Sequence, residues 1–434
     1  MHPIHTIIRV ACHGPAMTRR RLRHVRRNIV LYLGAAVAAV VALAPSAGAA
    51  SWVSPRVARA QLARSSELSL SQAPAGLRAA VRRTLGVRNG PLSRAFDQTK
   101  LTDPDSATGD QYGYSVAISG STAVVGAPGT GAAYVFVGSG TTWSEQAKLT
   151  PKHGPAATFG WSVAISGSTA VVGQPGTGAA YVFVRSSTTW KQQAKLTASH
   201  ASEFGLSVAI YRSTAVIGAP GGAAYVLVRS GTTWKQQAKL TPKHPNKGFG
   251  DAVAISGATA VIGAPGQKTG GTAYVFVRSG KTWKQQAKLT DPQAGKFDLF
   301  GYAVAISNST AIIGAPANAN NTGVAYVFVR SGTTWSRQAT LTASDAAANN
   351  VFGISVAISD STVVIGAPGK NSNTGVAYEF VRSGTTWTQQ PELTASDGAA
   401  NDGFGVVAIS GSTAVTGAPS NLSGMGKAYA FTGL

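Results

Sequence analysis

The sequence predicts an all-β protein: a seven-bladed β-propeller of four-stranded antiparallel blades, closed by an N-terminal strand that pairs into the last blade. Three observations predict it. An aromatic-Gly pair recurs at Tyr112-Gly113, Phe159-Gly160, Phe204-Gly205, Phe249-Gly250, Phe300-Gly301, Phe352-Gly353 and Phe404-Gly405, at spacings of 47, 45, 45, 51, 52 and 52. A period of this size belongs to propellers and solenoids. Each period holds four short β-type runs, and the first and last periods are incomplete in complementary ways.

The chain opens on a different composition. Arg19, Arg20, Arg21, Arg23, Arg26 and Arg27 form a basic block before an apolar run, Ile29 to Ala44, and Ala47-Gly48-Ala49 follows. This order predicts a secretory signal peptide over residues 1–50, with Met17 as an alternative start. The apolar run is shorter than the about 20 residues a membrane span needs, so no stable span is expected after cleavage. Residues 51–93 read as a linker, with a short amphipathic helix over 74–85. Localisation is expected to be secreted, extracellular or associated with the cell envelope. The formal charge is +22. Residues 1–93 hold fourteen Arg against one Glu, so most of that charge falls outside the repeats and no nucleic-acid partner is expected. Cys12 is the one cysteine and lies in the signal, which leaves no disulfide and no thiol nucleophile.

Within a repeat, Tyr114 to Ser119 alternates like a strand, Gly120-Ser121 turns it, and Thr122 to Gly126 returns until Pro128 stops the ladder. Tyr134 to Val137 is the third strand, and Thr142 to Thr150 the fourth. The last repeat stops after three strands, at Tyr429-Ala430-Phe431. Before the first repeat, Phe96-Asp97-Gln98-Thr99-Lys100-Leu101-Thr102 matches the fourth-strand pattern Ser144 to Thr150. That N-terminal strand would complete the last blade and remove the exposed edge of an open array.

The pairing of Phe204-Gly205 with Gly218-Ala219-Pro220, and of Phe249-Gly250 with Gly263-Ala264-Pro265, is the signature of the FG-GAP repeat. Over residues 94–434 the chain resembles bacterial secreted FG-GAP proteins and, more distantly, the N-terminal propeller of integrin α-subunits. The resemblance implies a scaffold for adhesion and other binding tasks. Integrin-type repeats often carry a calcium loop between the first two strands. Here that connection is a turn such as Ser166-Gly167-Ser168, too short and too poor in carboxylates for six to eight oxygen ligands. No metal or cofactor is therefore expected, apart from weak calcium binding by the acidic loops Asp103/Asp105/Asp110, Asp291/Asp298 and Asp397/Asp402. These read first as turn formers.

Spacing marks a working face. The third-strand Tyr to the Trp is always nine residues, and the Trp to the fourth-strand Leu always six. Length variation falls in two connections, strand two to three and strand four to the next blade, which emerge on one face of a propeller. Variation confined to one face points to binding there. The candidate contact residues are Asp105, Asp110, Lys268, Asn318, Asn320, Asn321, Lys370, Asn371, Asn373 and Asn421. A ring position four residues past the fourth-strand Leu holds Asp105, His153, His200, His244, Gln293, Asp345 and Asp397. Adjacent blades hold such residues too far apart for one metal, so these read as turn and cap residues. Fourth-strand lysines alternate at Lys191/Lys195, Lys235/Lys239 and Lys284/Lys288; they read as edge protection, the alternative being a basic rim for anionic polymers. Six tryptophans repeat at one blade position and read as packing; Trp52 and Trp161 fall outside it. No catalytic motif appears. The expectation is a monomeric, non-enzymatic binding module for an extracellular protein or glycan. The alternatives are a structural envelope component and a hydrolase working from the loop face.

Overall fold

The first strand of the described chain pairs with its last, as the complementary ends of the repeat array require. The computed structural model describes residues 96–434, apart from 104, 106, 155, 245, 247, 267–269, 293, 294, 296 and 420–423. The signal, the linker helix, Lys268 and Asn421 lie outside the described residues. Seven four-stranded antiparallel sheets follow one another. Blades 1 to 6 begin at Ser115, Ser162, Val208, Ala252, Ala303 and Val356, and each runs in sequence order from its first to its fourth strand. Blade 7 consists of Val406–Ser410, Thr413–Ala418, Lys427–Thr432 and, as its outer strand, Asp97–Leu101. The first strands of successive blades neighbour one another in a closed ring, blade 7 against blade 1 included, and so surround the central axis.

The second and third strands of each blade are buried on both faces. In blade 2, Thr169–Gln174 is buried throughout and Ala179–Ser186 is buried over its first five residues. Each blade–blade interface is its own hydrophobic cluster: Val135, Leu149 and Ala133 of blade 1 pack with Phe159, Val172 and Tyr181 of blade 2. The aromatic of each aromatic-Gly pair sits in such a cluster, at most 1% exposed, and Phe159 meets Tyr181 edge-on at 5.5 Å.

The two signature glycines meet between blades. Gly160 has φ +94°, and a Cβ there would lie 2.2 Å from the Ala132 carbonyl. A Cβ on Gly126 of the preceding blade would lie 2.1 Å from the Gly160 carbonyl. Only glycine permits this backbone approach. The same contact recurs between Gly417 of blade 7 and Gly113 leading into blade 1, so it passes through the closure.

The outer strands carry a β-bulge in blades 1 to 5, for example between Val182 and Phe183, where Val182 faces Ala194 and Phe183 faces Gln192. The extra residue, Gln193, is turned out of the ladder. It receives the indole N–H of Trp234 from the next blade at 3.0 Å. Gln146, Gln237, Gln286 and Gln338 do the same for Trp190, Trp283, Trp335 and Trp387. The repeated tryptophans are packing residues, as expected, and also form a belt of hydrogen bonds. A second belt joins Arg185, Arg229, Arg278, Arg330 and Arg382 to a Thr hydroxyl of the preceding blade, from Thr122 to Thr310.

The closing strand differs from its sequence match. Gln98 pairs with Phe431 and Thr99 with Ala430 without a bulge, so Gln98 stands where Glu145 stands in blade 1, not where Gln146 does. The strand is one residue short of the full pattern. The indole N–H of Trp143 consequently has no partner among the described residues.

Candidate functional site

The two variable connections do share a face, and they are bonded to each other. The backbone N–H of Gly129, between strands two and three of blade 1, donates to Asp110 of the connection leading into that blade. The N–H groups of Asn349 and Val351 donate to Asn320 and Asn321, and those of Asn401 and Gly403 to Ser372 and Asn373.

Many of the candidate contact residues prove to build this face. Asp110 is buried and its carboxylate accepts the Ala107 N–H at 2.5 Å, closing a turn. Asp298 and Asp402 close equivalent turns with Gly295 and Ala399. Asn320, Asn321, Asn371 and Asn373 occupy left-handed backbone, φ between 54° and 63°, which Asn tolerates better than most residues. Asn318 donates to Asp298 at 2.8 Å, and Asn321 and Asn373 reach Asn349 and Asn401. Lys370 is held between Asp345 and Glu392 over the Tyr378 ring, and those hydrogen bonds raise its pKa against the opposing effect of burial. Asp105 is exposed and pairs with Lys148 at 3.4 Å.

Two members of the ring of His and Asp have structural bonds. Asp345 and Asp397 accept the hydroxyls of Tyr378 and Tyr429 at 2.7 and 2.5 Å. Burial opposes ionisation of Asp397, but hydrogen bonds from Lys100 and Tyr429 and the Lys427 charge outweigh it and hold the carboxyl at about 2. His153, His200 and His244 are exposed on three successive connections. Among the described residues no three His, Cys, Asp or Glu side chains group as metal ligands.

A different set converges at the loop-face end of the innermost strands. The residue after each aromatic-Gly pair is Tyr114, Trp161, Leu206, Asp251, Tyr302, Ile354 and Val406 in blade order. In blades 1 to 6 the same turn presents it, its N–H donating to the carbonyl three residues back. The flanking residues repeat and this one does not. Tyr114 and Trp161 lie in ring contact at 4.7 Å. Tyr302 is 44% exposed. Burial, then Tyr302, raises the pKa of Tyr114, although the two stand on blades 1 and 5. Burial, then Asp251, raises that of Tyr302. Burial, then the Glu203 charge, pushes Asp251 up to about 6. Pairwise electrostatic influence thus links residues of blades 1, 3, 4 and 5 near the axis of the ring. The signal for it in the sequence is a variable position in the turn between the repeated aromatic-Gly pair and the repeated first strand; Trp161 is its visible member.

The FG-GAP repeat pattern matches residues 96–136, 143–183, 190–232, 234–276, 283–328, 335–380 and 387–431. The chain belongs to the FG-GAP repeat family. Each matched unit after the first begins on the outer strand of one blade and ends on the third strand of the next, or two residues past it for 190–232, the offset that leaves Asp97–Leu101 to complete blade 7. A comparison with curated proteins gives no significant match. Among solved structures, the β-propeller domain of Cps50 (Swd1) from Myceliophteria thermophila is similar at TM-score 0.54 and 10% identity, covering 78% of this chain and 100% of that one. U3-55K is similar at 0.54 and 11%, covering 77% and 98%. The WD40 propeller domain of Doa1 is similar at 0.53 and 10%, covering 79% and 98%. These likenesses concern the fold.

Proposed function

We propose that this FG-GAP propeller is an exported, non-catalytic binding module that takes a glycan at the loop-face mouth of its channel. The observation that supports this reading is the mouth itself. Trp161, Tyr114 and Tyr302 offer apolar ring faces, and Asp251 offers a carboxyl whose pKa burial pushes up to about 6. Aromatic faces with a few convergent polar groups suit a sugar ring. The basic and apolar N-terminal segment supports export, and cell-surface or envelope association follows from such a ligand.

The test is a glycan array on the full chain, followed by titration of the best hit against Trp161→Ala and Asp251→Asn. Binding to a defined glycan that weakens at least tenfold in Trp161→Ala is expected. An empty array, or a hit indifferent to both substitutions, contradicts the reading. One observation favours a hydrolase instead: burial, then the Glu203 charge, raises the pKa of the Asp251 carboxyl. Turnover of aryl glycosides that vanishes in Asp251→Asn would replace binding by catalysis.

A further inference from the structure

The propeller's charge is divided between two arcs of the ring. Residues 151–290, covering blades 2 to 4, hold fifteen Lys/Arg against two acids, Glu203 and Asp251. The rest of the repeat region from residue 96 holds eight Lys/Arg against thirteen acids. Among the described residues, the cations in ion pairs are Lys100, Lys148, Arg337, Lys370 and Lys427, every one outside blades 2 to 4. The basic arc is therefore concentrated and, among its described residues, without an ion pair, and self-repulsion of this kind opposes folding unless a counter-charge is met.

The six alternating lysines concentrate it further. Lys191, Lys195, Lys235, Lys239, Lys284 and Lys288 are exposed on the outer strands of blades 2, 3 and 4, and those strands neighbour one another. Edge protection explains a lysine on an outer strand but not this distribution. Asp97–Leu101 and Thr334–Leu341 are outer strands too; the first carries one lysine and the second none. We infer that the outer rim of blades 2 to 4 is a docking surface for a linear anionic polysaccharide. Its charge complements the band, and a flexible polymer can follow a rim that turns by one-seventh of a revolution per blade, whereas a planar membrane touches such a rim only along a tangent. The large apolar side chains exposed among the described residues, Tyr211, Phe297, Tyr302 and Met425, lie off these outer strands, so nothing there inserts into lipid. The strands' tryptophans lie packed beside Arg185 and Arg278 and leave no row of rings for nucleic-acid bases. The inference is independent of the glycan reading at the channel mouth, which uses other residues on another face.

The experiment measures heparin, as a linear sulfated probe, binding to the full chain as a function of salt. It compares the unmodified chain with K191Q/K195Q/K235Q/K239Q/K284Q/K288Q and with the milder K191Q/K235Q/K284Q, each checked by circular dichroism and melting temperature. The Arg-rich N-terminal residues contribute equally to all three, so the difference is the readout. The sixfold variant is expected to bind at least fivefold more weakly with a flatter salt dependence, the threefold variant to fall between, and channel-mouth glycan binding to stay unchanged. A smaller loss in the sixfold variant overturns the inference. So does tighter binding to duplex DNA or to anionic phospholipid vesicles than to heparin at equal charge concentration.

Discussion

Two kinds of blade interface coexist in this ring. From blade 1 to blade 6, each outer junction is fastened by a Trp–Gln bond and an Arg–Thr bond. Both junctions of blade 7 lack them. Gly138 and Gly433 stand at the Arg positions, and the closing strand supplies no bulge glutamine for Trp143. The blade 6–7 junction also buries Glu379 where blades 1 to 5 place Val, and Thr416 where the other blades place Val or Ile. Yet the inner ring keeps its glycine contact through the closure, although the turn into blade 7 differs, with Gly405 at φ +150°. The glycine contact recurs from Gly417 to Gly113, and turn N–H to Ser bonds join Gly411 to Ser359 and Gly120 to Ser410. The difference teaches that closure by a chain end costs the outer belt but not the inner ring, so the channel mouth is framed continuously even where the rim is weakest.

Removing the closing strand is the strongest way to break this comparison. Deletion of residues 96–102 strips the edge of Lys427–Thr432 and opens the Leu101 cluster. Loss of cooperative melting and concentration-dependent aggregation are expected, checked by calorimetry and light scattering. Restoring apolar residues at the blade 6–7 junction should narrow the gap instead. Glu379→Val with Thr416→Val is expected to raise stability by about 1–3 kcal/mol in urea unfolding, because buried polar groups are exchanged for packing. The belt itself is tested by Trp234→Phe against Trp143→Phe. The first breaks a buried hydrogen bond and should cost about 1 kcal/mol more than the second, which has none to lose.

The smallest effect is a pH dependence at the seam. Lys100, Tyr429 and Lys427 hold the Asp397 carboxyl at about 2, below its unfolded value. A depressed carboxyl stabilises the fold above the unfolded pKa and loses that contribution as pH falls toward 2. Asp397→Asn should therefore lower the melting temperature at pH 7 and leave it unchanged near pH 2. The difference should stay under about 1 kcal/mol because the side chain is half exposed.

The blade count and the closure were legible because strand period, turn residues and the incomplete end repeats all agree. The missing bulge was not. Gln98 matches Gln146 letter for letter, and only the register shows that it stands one place away. That the two variable connections share a face was legible; the bonds their residues make were not. Length variation pointed to Asn318, Lys370 and Asp110, which serve a loop hydrogen bond, an ion cluster and a turn closure, since a long loop needs its own polar groups to hold its shape. The mouth residues lie at a fixed place, directly after the aromatic-Gly pair, where variation in identity alone marks them.

The contrast between rim and inner ring is tested most directly by native-state hydrogen exchange resolved by peptide. Amides of Asp97–Leu101 and Lys427–Thr432 should exchange first among the buried strands, while Ser115–Ser119 and the first strands of the other blades stay protected together. Uniform exchange around the rim, or earlier opening in blades 2 to 5 than in blade 7, would contradict a seam confined to the outer belt.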